Sequence, residues 1–382
     1  MIIMLAILEQ ILAAAARLSA SDVHLKAGLP PIYRIKGDLR TVRDVPPISA
    51  EALMAFADKA MNPRQREDFE TYHEVDLAYS TADGIRFRTN IFLQRGVPGA
   101  VLRLIPPDIP PFESLGLPEV VLRVAEEPRG LVLVTGVTGS GKSTTLASMI
   151  DHINRIKACH IVTVEDPIEF TFTDKRSVIN QRELGLDTTS FTRALRAALR
   201  QDPDVILVGE MRDVETIEIA LLAAETGHLV LSTLHTTDAV ETVNRIIAAF
   251  PPHQQAQIRL QLASALKGVV SQRLLPQADR KRMIPAVEVL VNTARVRELI
   301  EDPQRTTEIH DAIRDGRHPY GMISFDQSLT DLVRKRLVTY ETALRSATNP
   351  DDFALYFRGV SGGGATTDWL DQGTSTPSAR GG

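Results

Sequence analysis

The stretch RGLVLVTGVTGSGKSTT, residues 129–145, decides how the rest of the chain is read. Four consecutive apolar residues, Leu131 to Val134, form a run short enough for a buried strand. The run ends in Gly136-Val137-Thr138-Gly139-Ser140-Gly141-Lys142-Ser143, which matches G-x-x-x-x-G-K-[ST] at every fixed position. Thr144 and a helix-patterned segment, STTLASMIDHINRI, follow. Strand, glycine loop and helix in that order suit a triphosphate. The glycines let backbone N–H groups converge on an anion, and the helix N-terminus adds favourable dipole charge. Lys142 then reaches the β- and γ-phosphates, and the Ser143 hydroxyl is placed to ligate Mg²⁺. The predicted ligands are therefore ATP and magnesium.

Working outward, further apolar runs alternate with helical patterns: HIVTVED, DVILVGE and HLVLSTL. Runs of this kind, polar or glycine at their ends, predict parallel strands of an α/β sheet. Each brings candidate chemistry to its carboxyl end. Glu210 follows DVILVG directly, where an acid would meet the phosphates; Gly209 stands where many P-loop enzymes carry Asp. Glu165, Asp166 and Glu169 crowd after HIVTV, an arrangement that suits Mg²⁺ and an attacking water or, equally, a solvated acidic turn. His228 and His235 flank one strand and could polarise a terminal phosphate. With no third histidine and no cysteine near them, they do not read as a zinc site.

Before residue 106 the pattern differs. PPIYRIKGDLR predicts two strands about a turn at Gly37-Asp38, and residues 75–105 predict three more with a turn at Asp83-Gly84. This is an α+β domain over 1–105. PPDIPPF, residues 106–112, cannot continue a helix or a central strand and predicts a linker over 106–113. An ATPase domain is assigned to 114–358, largely helical after about residue 255, and a Gly/Ser/Thr-rich disordered tail to 359–382. The opening MIIMLAILEQILAAAARL lacks a basic start and is interrupted by Glu9 and Gln10, so it predicts an amphipathic, core-packing helix rather than a leader or a membrane span.

Composition narrows the function. The 382 residues carry 43 Lys and Arg against 48 Asp and Glu, a net charge of -5, which gives no bulk attraction for nucleic acid. Cys159 is the single cysteine, so neither an intrachain disulfide nor a cysteine-rich zinc module can form.

Taken together, GVTGSGKSTT, VTVEDPIEF, INQRELGLDTTSF, ALRQDPDVILVGEMRDVETIEIAL and AETGHLVLSTLHT resemble the secretion ATPases, and within them the type IV pilus retraction ATPases of the PilT and PilU kind. SASDVHLKAGLPPIYRIKGDLR adds to the likeness, which spans about residues 5–355. The resemblance implies a PAS-like N-terminal domain, a RecA-like ATPase domain, and a homohexameric ring at the cytoplasmic face of the inner membrane. The ring would be peripheral, held through a membrane platform protein, with a paralogous retraction ATPase as a further candidate partner. It implies that Glu169 activates the attacking water, that Glu210 is the second acid, that His228 and His235 form a histidine box, and that arginines reach the site from a ring neighbour's N-terminal domain. The candidates are Arg88, Arg95 and Arg103; Arg86 shares a strand face with Arg88. Pilus assembly ATPases of the superfamily carry a four-cysteine zinc module, which one cysteine excludes, so retraction is favoured. RVRELIED, residues 295–302, departs from the family's AIRNLIRE by placing Glu298 and Glu301 at usual Asn and Arg positions. An accessory retraction ATPase and, more remotely, a DNA-translocating one are the alternatives.

Overall fold

The computed structural model describes residues 2–105 and 108–359, with side chains from Ile7 onward. The first sheet has six strands: β1 Asp22–Lys26, β2 Ile32–Ile35, β3 Asp38–Thr41, β4 Glu74–Ser80, β5 Arg86–Gln94 and β6 Val97–Leu104. They run β3-β2-β1-β6-β5-β4, antiparallel throughout. Strict alternation explains why one face is dry: Val75, Leu77 and Tyr79 of β4 are buried and their neighbours are not. That face packs against helices Ile2–Arg17 and Ala50–Ala60 through Leu8, Leu12, Leu53 and Phe56. The opening segment is thus the core-packing helix its spacing predicts. The β2–β3 turn falls one residue earlier than predicted, at Lys36-Gly37, both left-handed with φ of 53° and 90°. A two-residue hairpin of this twist needs two such residues in succession, and Asp38 instead begins β3.

The second sheet holds β7 Gly130–Thr135, β8 His160–Glu165, β9 Val178–Glu183, β10 Val205–Val208, β11 Leu229–Leu234, β12 Leu266–Pro276 and β13 Met283–Val291. Their order is β13-β12-β7-β11-β10-β8-β9, all parallel except the β12–β13 hairpin. Every residue of β7, β10 and β11 is buried, as expected of strands covered by helices on both faces. The fold is therefore the expected α/β one, an antiparallel α+β sheet followed by a RecA-like parallel sheet.

The chain beyond residue 255 is largely helical, as expected, but one stretch there needs correcting. QIRLQLASALKGVVSQRLL is helix only to Ala265; from Leu266 it is β12, beside β7. Gly268 and the β-branched pair Val269-Val270 suit a strand squeezed between neighbours: a Cβ on Gly268 would meet the Leu290 carbonyl oxygen at 2.9 Å. The proline segment is held down at its far end. Ser148 Oγ donates to the Pro110 carbonyl at 2.7 Å, and Phe112 is buried in the core of the second sheet. The tail expected to be disordered lies outside the described residues, Gly359 excepted.

Candidate active site

Three glycines shape the loop after β7. Gly136, Gly139 and Gly141 have φ of 140°, 79° and 93°, values that side-chain-bearing residues avoid. At Gly136 there is no room either, because a Cβ would lie 2.5 Å from both the Gln272 carbonyl oxygen and Ser140 Oγ. Lys142 opens helix Lys142–Ile156, and its Nζ donates to the carbonyls of Gly136 at 2.8 Å and Val137 at 3.1 Å. Burial lowers its pKa, while the negative charges of Glu210 and Glu169 act in the opposite sense. Val137 is exposed, whereas Ser140 Oγ and Gln272 Oε1 are buried polar atoms without a protein partner. Gln272 donates its Nε2 to Thr145 Oγ1 at 2.9 Å.

A cavity of about 320 Å³ opens over this loop, and Thr138, Gly139, Lys142, Ser143, Glu169 and Glu210 are among its walls. Glu210 leaves the end of β10 between two partners: Arg212 Nη2 at 2.9 Å and His235 Nε2 at 3.1 Å. Glycine precedes it for a steric reason. A Cβ on Gly209 would lie 3.2 Å from the Val164 carbonyl oxygen and 3.3 Å from Glu165 Cα, so an aspartate there would need β8 to give by a few tenths of an ångström. Glu165 borders the cavity too, but its carboxylate is spoken for. It accepts from Thr163 Oγ1 at 2.7 Å and Gln181 Nε2 at 3.2 Å, and burial pushes its pKa up to about 7. Of the acidic cluster, Asp166 and Glu169 also line the cavity, Asp166 exposed and Glu169 half-buried.

The two histidines part company. His235 lies at the carboxyl end of β11, on the cavity. His228 precedes β11 at the opposite edge of the sheet, where its Nδ1 lies 2.9 Å from the Ala223 carbonyl oxygen. Six strand residues at about 3.3 Å each separate them. The structure therefore does not bring His228 to the P-loop of its own chain. The arginines divide as well. Arg88, on β5, reaches the cavity from the N-terminal sheet of the same chain. Arg95 sits at the β5–β6 turn with φ of 52°, and Arg103 Nε donates to Asp22 Oδ1 at 3.0 Å across β1–β6, with its side chain 70% exposed. Neither lines the cavity. Arg212 was missed from sequence, because nothing in its spacing distinguishes it from a surface arginine.

A buried parallel strand running into a three-glycine loop, with a lysine at the helix start and acids on the next strand ends, defines a P-loop nucleoside triphosphatase. The comparisons place it more narrowly: the chain belongs to the type II/IV secretion system protein family, whose model matches residues 2–354, and lies among that family's pilus retraction ATPases. It is 46% identical over 346 residues to the type IV pilus retractation ATPase PilT of Pseudomonas aeruginosa, covering 91% of this chain and 99% of the relative. The type IV pilus ATPase PilU of the same organism is 40% identical, with 92% and 91% covered. A crystal structure of the pilus retraction motor PilT with bound ADP superposes with a TM-score of 0.83 at 45% identity, covering 90% of this chain and 98% of that one. Among the described residues, no helix is long and apolar enough to cross a membrane.

Proposed function

We propose that this ATPase works as a ring of six that withdraws a type IV pilus, bearing on a platform protein in the inner membrane and held peripherally at the membrane's cytoplasmic face by that contact. The observation that carries the reading is the meeting of Lys142, Ser143, Glu169 and Glu210 on one cavity that Arg88 enters from the other domain. The residues suit a magnesium nucleotide. The loop's three glycines take backbone angles that side-chain-bearing residues avoid, and buried Ser140 Oγ and Gln272 Oε1 have no protein partner. Ser143 would hold the ion, which when bound spreads the phosphates' negative charge. Lys142 trades its loop carbonyls for phosphate oxygens, a stronger charge-assisted contact. Glu169 takes a proton from the attacking water, and Glu210 is held in orientation by Arg212 and His235. Arg88 meets charge that develops on the transferred group.

Deleting the gene is expected to leave cells with assembled, excess pili that do not retract. Bald cells would reveal an assembly motor instead. A second reading, an accessory ring that assists a paralogue, draws on helix Ala294–Glu301. Leu299 and Ile300 are wholly buried there, whereas Glu298 and Glu301 are exposed where the retraction ATPases place a neutral and a positive residue. Unchanged retraction in the deletion strain would favour it.

A further inference from the structure

The segment INQRELGLDTTSF has entered so far only through Gln181, which meets Glu165, yet two of its side chains also grip the backbone that carries Glu169. Both come from β9 and, two residues apart, share a face. Glu183 Oε2 accepts from the Ile168 amide at 3.1 Å. Gln181 donates Nε2 to the Phe170 carbonyl at 2.8 Å and accepts through Oε1 from the Phe172 amide at 2.8 Å. Glu169 therefore sits between two backbone groups that β9 holds. The same Glu183 oxygen receives Arg86 Nη2 at 2.8 Å, from β5 of the N-terminal sheet. This ion pair is shielded, with side chains 22% and 6% exposed, and Arg86 Nε is buried without a partner.

We propose that Glu183 is a positioning residue that couples docking of the N-terminal domain, through Arg86, to the placement of Glu169 over the P-loop. The proposal rests on the reading of Glu169 as the group that activates water. Its physical basis is the cost of a lone buried charge. With the N-terminal sheet docked, Arg86 neutralises Glu183 and fixes the oxygen that Ile168 needs. Rotation of that sheet away leaves Glu183 with an amide as its remaining partner, and a buried carboxylate stripped of its cation moves toward water. The Ile168 anchor then loosens, and Glu169 with it. Domain rotation is the two-state element, and its bias on a base gives chemistry a reason to wait for closure.

Full-length Arg86→Ala, Arg86→Lys, Glu183→Gln and the Arg86→Ala/Glu183→Gln pair test this, with amide exchange measured alongside ATP turnover. Arg86→Ala and Glu183→Gln should each lower kcat about tenfold with KM within about twofold, and the pair should fall no further than the worse single, as a shared route requires. Arg86→Lys should recover part of the loss. Amides of 166–172 should exchange faster in Arg86→Ala while those of the P-loop do not. Unchanged kcat or unchanged exchange at 166–172 in Arg86→Ala overturns the coupling. So does a loss that instead follows a general fall in melting temperature. A Glu169→Gln variant separates the two layers: parental turnover there removes the water-activation reading itself, whereas a dead Glu169→Gln beside a normal Arg86→Ala removes the coupling alone.

Discussion

At the scale of single residues, the site sorts its carboxylates by environment. Glu169 and Glu210 face the cavity, and each should be separable from nucleotide binding. Glu169→Gln and Glu210→Gln are expected to retain ATP while turnover falls about 100-fold or more, since each keeps its shape but loses its charge. Turnover at the parental rate in either variant, measured beside a nucleotide-binding assay, would strike that residue from the mechanism. Glu288 shows the opposite environment. It is wholly buried, accepts from the Ala239 amide at 2.9 Å, and burial raises its pKa from 4.5 to about 7. The folded protein keeps a proton there that the unfolded chain releases, so this group's contribution to stability declines as pH rises from about 4.5 to about 7. A shift of this size is on the order of 3 kcal/mol. Glu288→Gln carries no such penalty, so its melting temperature should gain on the parent's between pH 5 and pH 8. An unchanged difference across that range would contradict the burial argument.

At the scale of elements, the P-loop is pinned where it leaves β7. Gly136 is the tightest point, strained for any side chain and pressed against the backbone of β12. Gly136→Ala should therefore weaken nucleotide binding about tenfold or more. Titration with a fluorescent ADP analogue checks this, and parental affinity would show that the loop can yield. β12 matters here as more than an edge: its Gln272 supplies both the carbonyl that crowds Gly136 and the amide that meets Thr145. The helical reading of this stretch would have hidden that role.

At the scale of the whole molecule, the two sheets build one site within one chain. Arg88 lines the cavity of its own P-loop, although the family resemblance implied supply from a ring neighbour. Supply within the chain predicts that rings mixed from Arg88→Ala and Lys142→Ala subunits regain no turnover, because no subunit then holds both groups. Recovery in rings shown to be mixed would assign Arg88 to the neighbouring site.

The P-loop, the parallel strands β7, β8, β10 and β11, and the acids at their ends were legible in sequence because each is a local pattern. A fully buried strand must be a continuous apolar run, and a loop that wraps an anion must have glycine where φ is positive. The hairpins of the first sheet were legible for the same reason, to within a residue. Other features depended on which strand lies beside which. β9, half polar, becomes a strand because β8 offers it an edge, and β12 leaves its helix because β7 and β13 close around it. The separation of His228 from His235 was legible as well, since six strand residues at about 3.3 Å each put the two at opposite ends of β11; which end carries the P-loop cavity only the sheet decides. The Arg86–Glu183 pair joins positions 97 apart in sequence. Local chemistry is written in neighbouring residues, whereas contacts across the sheet exist only once the chain has paid the entropy of bringing distant segments together.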